Sequence, residues 1–207
     1  MGGATLGAFF NGSTGGAGAG VYDATSPGMG SVTIPVAATG VTIEVWGPGG
    51  GGGKGGEYFI APGEPEIYDG GGGGGGGYSK TVLVLGVSDP GKTINYTVGT
   101  AGAGASGGPG TAGTFSNVYS GTYTITTMTA NGGLPGTSTP SYTQGAGGSA
   151  SGGNTTNTAG NGGALFTNAG AAGIVGDNSL TAGAGGNGGF LEGENGQNGR
   201  VRMVFTF

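Results

Sequence analysis

Glycine recurs at every third position in several runs along this chain. The clearest are Gly104, Gly107, Gly110 and Gly113; Gly170, Gly173 and Gly176; Gly183, Gly186 and Gly189; and Gly193, Gly196 and Gly199. A polyproline II helix has three residues per turn, so each run places its glycines on one edge, where a neighbouring backbone can approach without meeting a Cβ. Each run ends after about three turns. The spacing therefore predicts a chain that folds back on itself as a stack of short extended helices.

Composition indicates a folded chain even though 60 of its 207 residues are glycine. Ordering each backbone residue costs about 1–2 kcal/mol, and glycine lies at the high end of that range. Disordered tails combine low hydrophobicity with high net charge, whereas this chain carries a net charge of only −5 and has apolar runs typical of strands. We expect a thin side-chain core supplemented by backbone hydrogen bonds and by contacts with other copies.

The residue inventory argues against several functions. The chain contains no histidine and no cysteine, which excludes the usual zinc sites, disulfides, thiol nucleophiles and Ser-His-Asp chemistry. Its basic residues are too few and too scattered for nucleic-acid binding, namely Lys54, Lys80, Lys92, Arg200 and Arg202. No secretory signal or membrane-spanning stretch is visible. We therefore expect no enzyme activity, no cofactor or metal, no nucleic-acid partner and no membrane insertion.

Strand patterns alternate with the glycine-rich stretches. Strands are predicted at residues 31–35, 41–46, 80–85, 93–98, 122–129 and 200–207. The turn sequence Asp89-Pro90-Gly91 predicts a hairpin between the third and fourth of these strands. The predicted fold is mainly β, with sandwich-like strands, packed polyglycine helices of polyproline II type and no significant α-helix. Residues 1–30 are predicted to be a glycine-rich attachment segment, and residues 31–207 the glycine-rich β and polyproline II domain.

One nucleotide-binding motif is matched in sequence but not in context. Residues 86–93 read GVSDPGKT and satisfy the pattern G-x-x-x-x-G-K-[ST]. A phosphate-binding loop of this type must open a helix whose N-terminal amides hold the phosphate. The residues that follow, 93–98, alternate as a strand, so nucleotide binding is not predicted.

Carboxylates are the other candidates for chemistry. Glu57, Glu64, Glu66 and Asp69 are close enough in sequence to form a calcium-binding loop, and Glu192 with Glu194 to form an acid pair. The favoured interpretation is that these are solvated charges that keep a weakly charged protein soluble. Glu44 is expected to face Arg200 or Arg202 across neighbouring strands, on the outward side of the sheet.

Four stretches carry a resemblance to a known family: GSVTIPVAATGVTIEVWGPGGGGG, GGGGGGYSKTVLVL, DPGKTINYTVGTAGAG and GQNGRVRMVFTF. Their order resembles the glycine-rich domain of phage tail-fibre and receptor-binding proteins, from about Gly30 to Phe207. The non-glycine positions that carry the match are Trp46, Tyr78, Pro90, Val98 and the final strand. The three-spaced glycines are also similar to the polyglycine-sandwich adhesins at the distal fibre tips of T-even-like phages.

This resemblance implies a bacteriophage virion structural protein on the particle surface, a fibre or tail-tip component acting as a receptor-binding adhesin. It further implies a homotrimer joined to other virion proteins through the N-terminal segment. The host partner would be a surface glycan or an outer-membrane protein. Two alternatives remain open, a head fibre or decoration protein of the virion and, from another class, an ice-binding protein built from polyproline II helices.

Receptor contacts are predicted in an insertion at residues 57–69, between the two longest glycine runs. Its amphipathic side chains suit glycan or protein binding, namely Tyr58, Phe59, Ile60, Ile67 and Tyr68. Tyr142 and Phe166, in two further variable stretches, are weaker candidates. The alternative is that these aromatic residues form a satellite core or a subunit interface.

Overall fold

The computed structural model describes residues 20–61, 64–138, 143–164, 182–189 and 191–207, and of residues 58–61 and 64–68 the backbone alone. These residues form an all-β fold without a helix. The strands are β1 (Gly20–Ala24), β2 (Gly28–Thr33), β3 (Gly40–Trp46), β4 (Gly56–Ala61), β5 (Glu64–Tyr68), β6 (Tyr78–Val84), β7 (Thr93–Val98), β8 (Phe115–Ser120), β9 (Met128–Asn131), β10 (Ala150–Ser151), β11 (Thr156–Thr158) and β12 (Arg200–Thr206). The predicted fold class, mainly β without α-helix, is confirmed.

Two antiparallel five-stranded sheets pack face to face as a sandwich. Their strand orders are β1-β12-β3-β6-β11 and β10-β9-β8-β7-β2. The alternation in β3 places Val41, Ile43 and Val45 in the core between the sheets, where each is at most 2% exposed. The core is completed by buried side chains of both sheets, among them Val32, Ile94, Val98, Val118, Met128, Val201, Met203 and Phe205.

Two sequence-based strand predictions need correction. Residues 122–129 were predicted as one strand, but β8 ends at Ser120 and β9 begins at Met128. Ser120 holds the intervening turn, because its hydroxyl donates to the carbonyl of Ile125 and accepts from the Ile125 N–H. The sheets also begin earlier than expected, since β1 at Gly20–Ala24 pairs along β12.

The predicted hairpin around Asp89-Pro90-Gly91 is wrong in its pairing, although the turn is present. Gly91 adopts a φ of 85°, and the Asp89 N–H donates to the Gly86 carbonyl at 3.1 Å. However, β6 pairs with β3 and β11, whereas β7 pairs with β2 and β8. The turn therefore carries the chain from one sheet to the other, because both flanking strands find their partners elsewhere in the fold.

The glycine-rich stretches form a second region, which we call the glycine bundle. Its described segments are residues 47–55, 70–77, 99–105, 108–114, 131–137, 143–149, 158–164, 182–189 and 192–199. Hydrogen bonds between segments recur every third residue: Gly47, Gly50 and Gly53 donate their N–H groups to Gly77, Gly74 and Gly71 at 2.8–2.9 Å. A three-residue period without strand pairing is the pattern of packed polyproline II helices.

Segment 47–55 lies at the centre of the bundle and hydrogen-bonds to six neighbouring segments. Its N–H groups donate to segments 70–77, 108–114 and 192–199, and its carbonyls accept from segments 99–105, 131–137 and 182–189. At the end of the segment, the Gly55 N–H also donates to the Gly189 carbonyl. Segment 70–77 hydrogen-bonds to five described neighbours, which are segments 47–55, 131–137, 143–149, 158–164 and 182–189. The two uninterrupted glycine runs of the sequence are therefore the two central segments of the bundle.

Consecutive central positions must be glycine because each faces a different neighbour. A Cβ on Gly49 would lie 1.8 Å from the carbonyl oxygen of Ala184, and a Cβ on Gly51 would lie 1.9 Å from that of Ala103. Segments at the surface face fewer neighbours and need glycine only on the inward rows. The three-spaced pattern thus marks the outside of the bundle, and the unbroken run marks its centre.

The outcome for the three-spaced runs differs from one run to the next. Gly183, Gly186 and Gly189 share segment 182–189, and Gly193, Gly196 and Gly199 share segment 192–199. The run from Gly104 to Gly113 is not one helix, because the chain reverses at residues 106–108 between two antiparallel segments. The run Gly170, Gly173 and Gly176 lies outside the described residues.

Candidate functional site

The chain passes back and forth between the sandwich and the bundle. The described glycine segments therefore all extend from the same end of the sandwich. Segment 47–55 continues β3 away from the sheets, and segments 99–105, 131–137 and 182–189 run parallel to it. Segments 70–77, 108–114, 143–149 and 192–199 run back. We call the end of the bundle that lies away from the sheets the distal end. It is marked by Gly55, Ala105, Thr137, Ala164 and Gly189.

A two-stranded hairpin of β4 and β5 connects the two central segments at this distal end. The strands pair with each other, with Gly56 opposite Tyr68 and Tyr58 opposite Glu66, and the register shifts between Phe59 and Ala61. The insertion predicted from the sequence at residues 57–69 is thus mostly β-hairpin. Its position follows from chain direction, because segment 47–55 leaves the sheets and segment 70–77 returns to β6.

The predicted receptor-binding residues are partly placed by the structure. Tyr58, Phe59 and Ile60 lie on β4 and Tyr68 ends β5, all in the distal hairpin. Tyr142 and Phe166 lie outside the described residues. The nearest described positions to them, Thr143 and Ala164, both lie at the distal end, since Thr143 accepts from Thr137 and Ala164 accepts from Gly72.

Charge is distributed unevenly between the two regions. The distal half carries Lys54 as its basic residue, against the acidic residues Glu57, Glu64, Glu66, Asp69, Glu192 and Glu194. In the described part of the sandwich, each acidic side chain has a basic partner: Asp23 pairs with Arg200, Glu44 with Arg202 and Asp89 with Lys92. Negative charge is therefore concentrated at the distal end.

The ion pairs of the sandwich lie partly at its junction with the bundle. Arg200 donates two hydrogen bonds to Asp23, at 2.8 and 2.6 Å, and stacks 5.1 Å above the Trp46 ring. Tyr78 packs against Trp46 with ring centroids 5.0 Å apart. Trp46 ends β3 and Tyr78 begins β6, so these two side chains lie where the sandwich strands join the central glycine segments.

Glu44 occupies the buried centre of this cluster. It is 3% exposed, accepts a 2.7 Å hydrogen bond from the Tyr78 hydroxyl and lies 3.3 Å from an Arg202 nitrogen. Burial and this hydrogen bond raise the pKa of Tyr78 well above its usual range. The predicted cross-strand contact between Glu44 and Arg202 is confirmed, with the two residues directly opposite in register. The predicted outward placement is wrong, because Glu44 is buried.

Within residues 86–93, which match the nucleotide-loop pattern, the Asp89 carboxylate accepts hydrogen bonds from the loop's own donors. Asp89 accepts the Gly86 N–H at 2.7 Å and the Lys92 ammonium at 2.8 Å. The Lys92 hydrogen bond, aided by Gly86, lowers the pKa of Asp89. Strand β7 follows at once, so the helix that would hold a phosphate is not formed here.

The residues that the structure describes hold no group of three or more acidic, histidine or cysteine side chains arranged to bind a metal ion. Within the same residues, no helix has the length and apolarity needed to span a membrane.

Sequence reasoning underrated the unbroken glycine runs, which proved to be the central segments. The usable signal was the absence of any side chain over three successive positions, since one turn of polyproline II then faces neighbours on all sides. It also missed the polar side chains that cover the bundle's surface. Asn195 and Asn198, three residues apart, accept the N–H groups of Gly104 and Ala101.

Comparison with known proteins identifies the family of the chain. No curated protein matches it. A family model described as a glycine-rich domain matches residues 24–204, which include the central segments and the sandwich strands apart from most of β1 and the end of β12. The chain therefore belongs to the glycine-rich domain family.

Proposed function

We propose that this protein is a structural protein of a bacteriophage virion, a fibre or tail-tip component whose distal end contacts the host surface. The observation that carries the proposal is the polarity of the fold. The sheets lie at one end, and the connections between outgoing and returning glycine segments lie at the other. A rigid framework with its variable connections on one face is a typical arrangement for recognition.

The bundle is suited to hold such a surface rigidly. Each central residue is fixed by backbone hydrogen bonds to neighbouring segments, so the connections at the distal end are anchored on both sides. The β4–β5 hairpin connects the two central segments directly. It carries Tyr58, Phe59 and Tyr68, residue types that supply much of the binding energy at protein surfaces.

The partner we propose is a host-surface glycan or an outer-membrane protein. The distal end combines aromatic residues with acidic ones and has Lys54 as its base. Carboxylates accept hydrogen bonds from sugar hydroxyls and pair with basic side chains of a protein. No catalytic step is proposed, because the protein holds neither histidine nor cysteine to serve as base or thiol nucleophile.

We further propose that the protein works as a homotrimer, attached to other virion proteins through its N-terminal segment. Attachment through the N-terminal segment would leave the distal end exposed on the particle. Exposed apolar residues on the sandwich end away from the bundle, Val36, Val84 and Val87, support attachment on that side.

The test replaces Tyr58, Phe59 and Tyr68 together by alanine in phage particles that carry the protein. We expect host adsorption to fall at least a hundredfold, because loss of three aromatic anchors costs several times 1.4 kcal/mol of binding. Particle yield and oligomeric state should be unchanged. The matched control is Phe115→Ala, an exposed aromatic residue of the sandwich, which should leave adsorption unaltered.

Two outcomes would contradict this assignment. Normal adsorption by the triple variant would favour a head fibre or decoration protein, and electron microscopy of labelled particles would then locate the chain on the capsid. Failure of the variant to assemble would place the aromatic residues in a subunit interface or a satellite core.

A further inference from the structure

A polyglycine lattice has no intrinsic boundary. Each polyproline II segment directs its N–H groups in three directions and its carbonyls in three more, so every surface segment offers backbone groups to a further segment. Segment 47–55 uses all six directions. Segment 99–105 lies at the surface, and something other than another segment must satisfy its outward N–H groups.

The inward row of segment 99–105 follows the lattice. Gly102 and Ala105 donate to the carbonyls of Gly49 and Gly52 at 2.8 and 3.0 Å. These bonds join the segment to the centre of the bundle. The other two rows of N–H groups point away from segment 47–55.

Both remaining rows end on side chains of adjacent segments. Ala101 and Gly104 donate to the side-chain oxygens of Asn198 and Asn195 at 3.0 and 2.8 Å. Thr100 and Ala103 donate to the hydroxyls of Thr114 and Thr111, each at 2.8 Å. The capping residues are three apart on both sides, which matches the period of the segment that they cap.

The asparagine caps line a groove of about 320 Å³ between segments 99–105 and 192–199. Its walls are residues 100–103 on one side and residues 195–198 on the other. Gly196, between the two asparagines, is buried and donates to Gly102. A further glycine segment added to this edge would have to lie in this groove and take the N–H groups that the asparagines now bind.

We propose that Asn195, Asn198, Thr111 and Thr114 terminate the glycine lattice and keep this edge closed to a second copy of the chain. The partner excluded is another polyproline II segment, since its carbonyls, three residues apart, are the acceptors that fit this row. Exposed strand edges are protected in a similar way against edge-to-edge association. The inference does not depend on the function proposed above.

The test is the double variant Asn195→Gly and Asn198→Gly, which removes both caps and both Cβ atoms. We expect the Ala101 and Gly104 amides to exchange hydrogen about tenfold faster in dilute protein. We also expect species larger than the parent to appear in sedimentation velocity as concentration rises. Gln197→Gly, at the exposed residue between the caps, and the double variant Asn195→Asp with Asn198→Asp, which keeps the acceptors, should both match the parent.

A second variant tests the opposite row. Thr111→Gly with Thr114→Gly removes the acceptors and the side chains that cover the Thr100 and Ala103 amides, so it should produce the same association even if the asparagine variant fails to fold. Unchanged exchange at the capped amides would overturn the proposal. Faster exchange with the parent's sedimentation behaviour at every concentration would also overturn it, because the caps would then satisfy the backbone without limiting the lattice.

Discussion

The sandwich and the glycine bundle exclude water by different means. In the sandwich, Ile43, Ile94 and Met203 are fully buried against side chains of the facing sheet. In the bundle, Gly49 to Gly53 are also buried, but what covers them is the backbone of other segments. A chain poor in large side chains can thus form a second interior by hydrogen bonding its backbone in three dimensions.

The two interiors should tolerate substitutions differently. A side-chain core loses transfer energy and gains a cavity when a residue is shortened. A backbone interior has no side chain to lose, so its weak point is the addition of atoms. Gly52 illustrates this, because a Cβ there would lie 1.9 Å from the carbonyl oxygen of Asn187.

The largest expected effect is that of Gly52→Ala. Neither backbone can move away without breaking further hydrogen bonds, so we expect a loss of about 4–5 kcal/mol or more in unfolding free energy. Chemical denaturation measures it. Gly107→Ala is the matched control, since a Cβ there meets nothing within 4 Å, and it should be neutral or stabilising by up to about 1 kcal/mol. Equal effects at both glycines would refute backbone packing.

In the sandwich, Ile43→Ala should cost about 2–5 kcal/mol, through lost burial and a residual cavity. Val84→Ala, at a side chain that is 88% exposed, should change stability by less than about 0.5 kcal/mol. Hydrogen exchange sharpens the comparison between regions. If sandwich and bundle unfold as one unit, Ile43→Ala accelerates exchange in segment 47–55 as much as in β3, whereas protection retained in the bundle would show two independent units.

A smaller effect is expected at the junction with Tyr78→Phe. Losing the hydrogen bond to the buried Glu44 carboxylate should cost about 1.5–3 kcal/mol at neutral pH. Because folding raises the pKa of Tyr78 above its ordinary value of 10, its contribution is complete below pH 10 and is lost as pH rises through the raised value. The variant should therefore lose less stability than the parent above pH 10. Tyr119→Phe on β8 serves as control, and an unchanged alkaline slope in Tyr78→Phe would contradict this origin.

Much of the sandwich could be predicted from local pattern. The alternation of Val41, Ile43 and Val45 predicts a strand with one core face, and β7 was predicted with its observed bounds. The prediction of one strand over residues 122–129 was wrong, because β-rich composition does not reveal a turn held by the Ser120 hydroxyl. The partners of β6 and β7 were also beyond local pattern, because a turn fixes a reversal of direction and not the sheet in which each strand pairs.

For the candidate site, the sequence predicted which segment differs from the glycine framework but not where it lies. The aromatic and apolar side chains of residues 57–69 predicted receptor contacts there, whereas the carboxylates of the same segment were expected to be solvated charges. Their position at the distal end follows from the directions of segments 47–55 and 70–77, which are set by hydrogen bonds between residues far apart in sequence. The asparagine and threonine caps could not be predicted either, because their role also depends on which segments lie side by side in the bundle.

The sequence by itself determined that this chain packs through its backbone, because glycine at every third position leaves an edge that only another backbone can fill. It also determined the absence of histidine and thiol chemistry. Only the tertiary structure decided that the unbroken runs are central, that the connections gather at one end and that the outer rows are capped. The reason is physical: a polyproline II segment has no internal hydrogen bonds, so its neighbours and its place in the lattice are fixed entirely by contacts between segments.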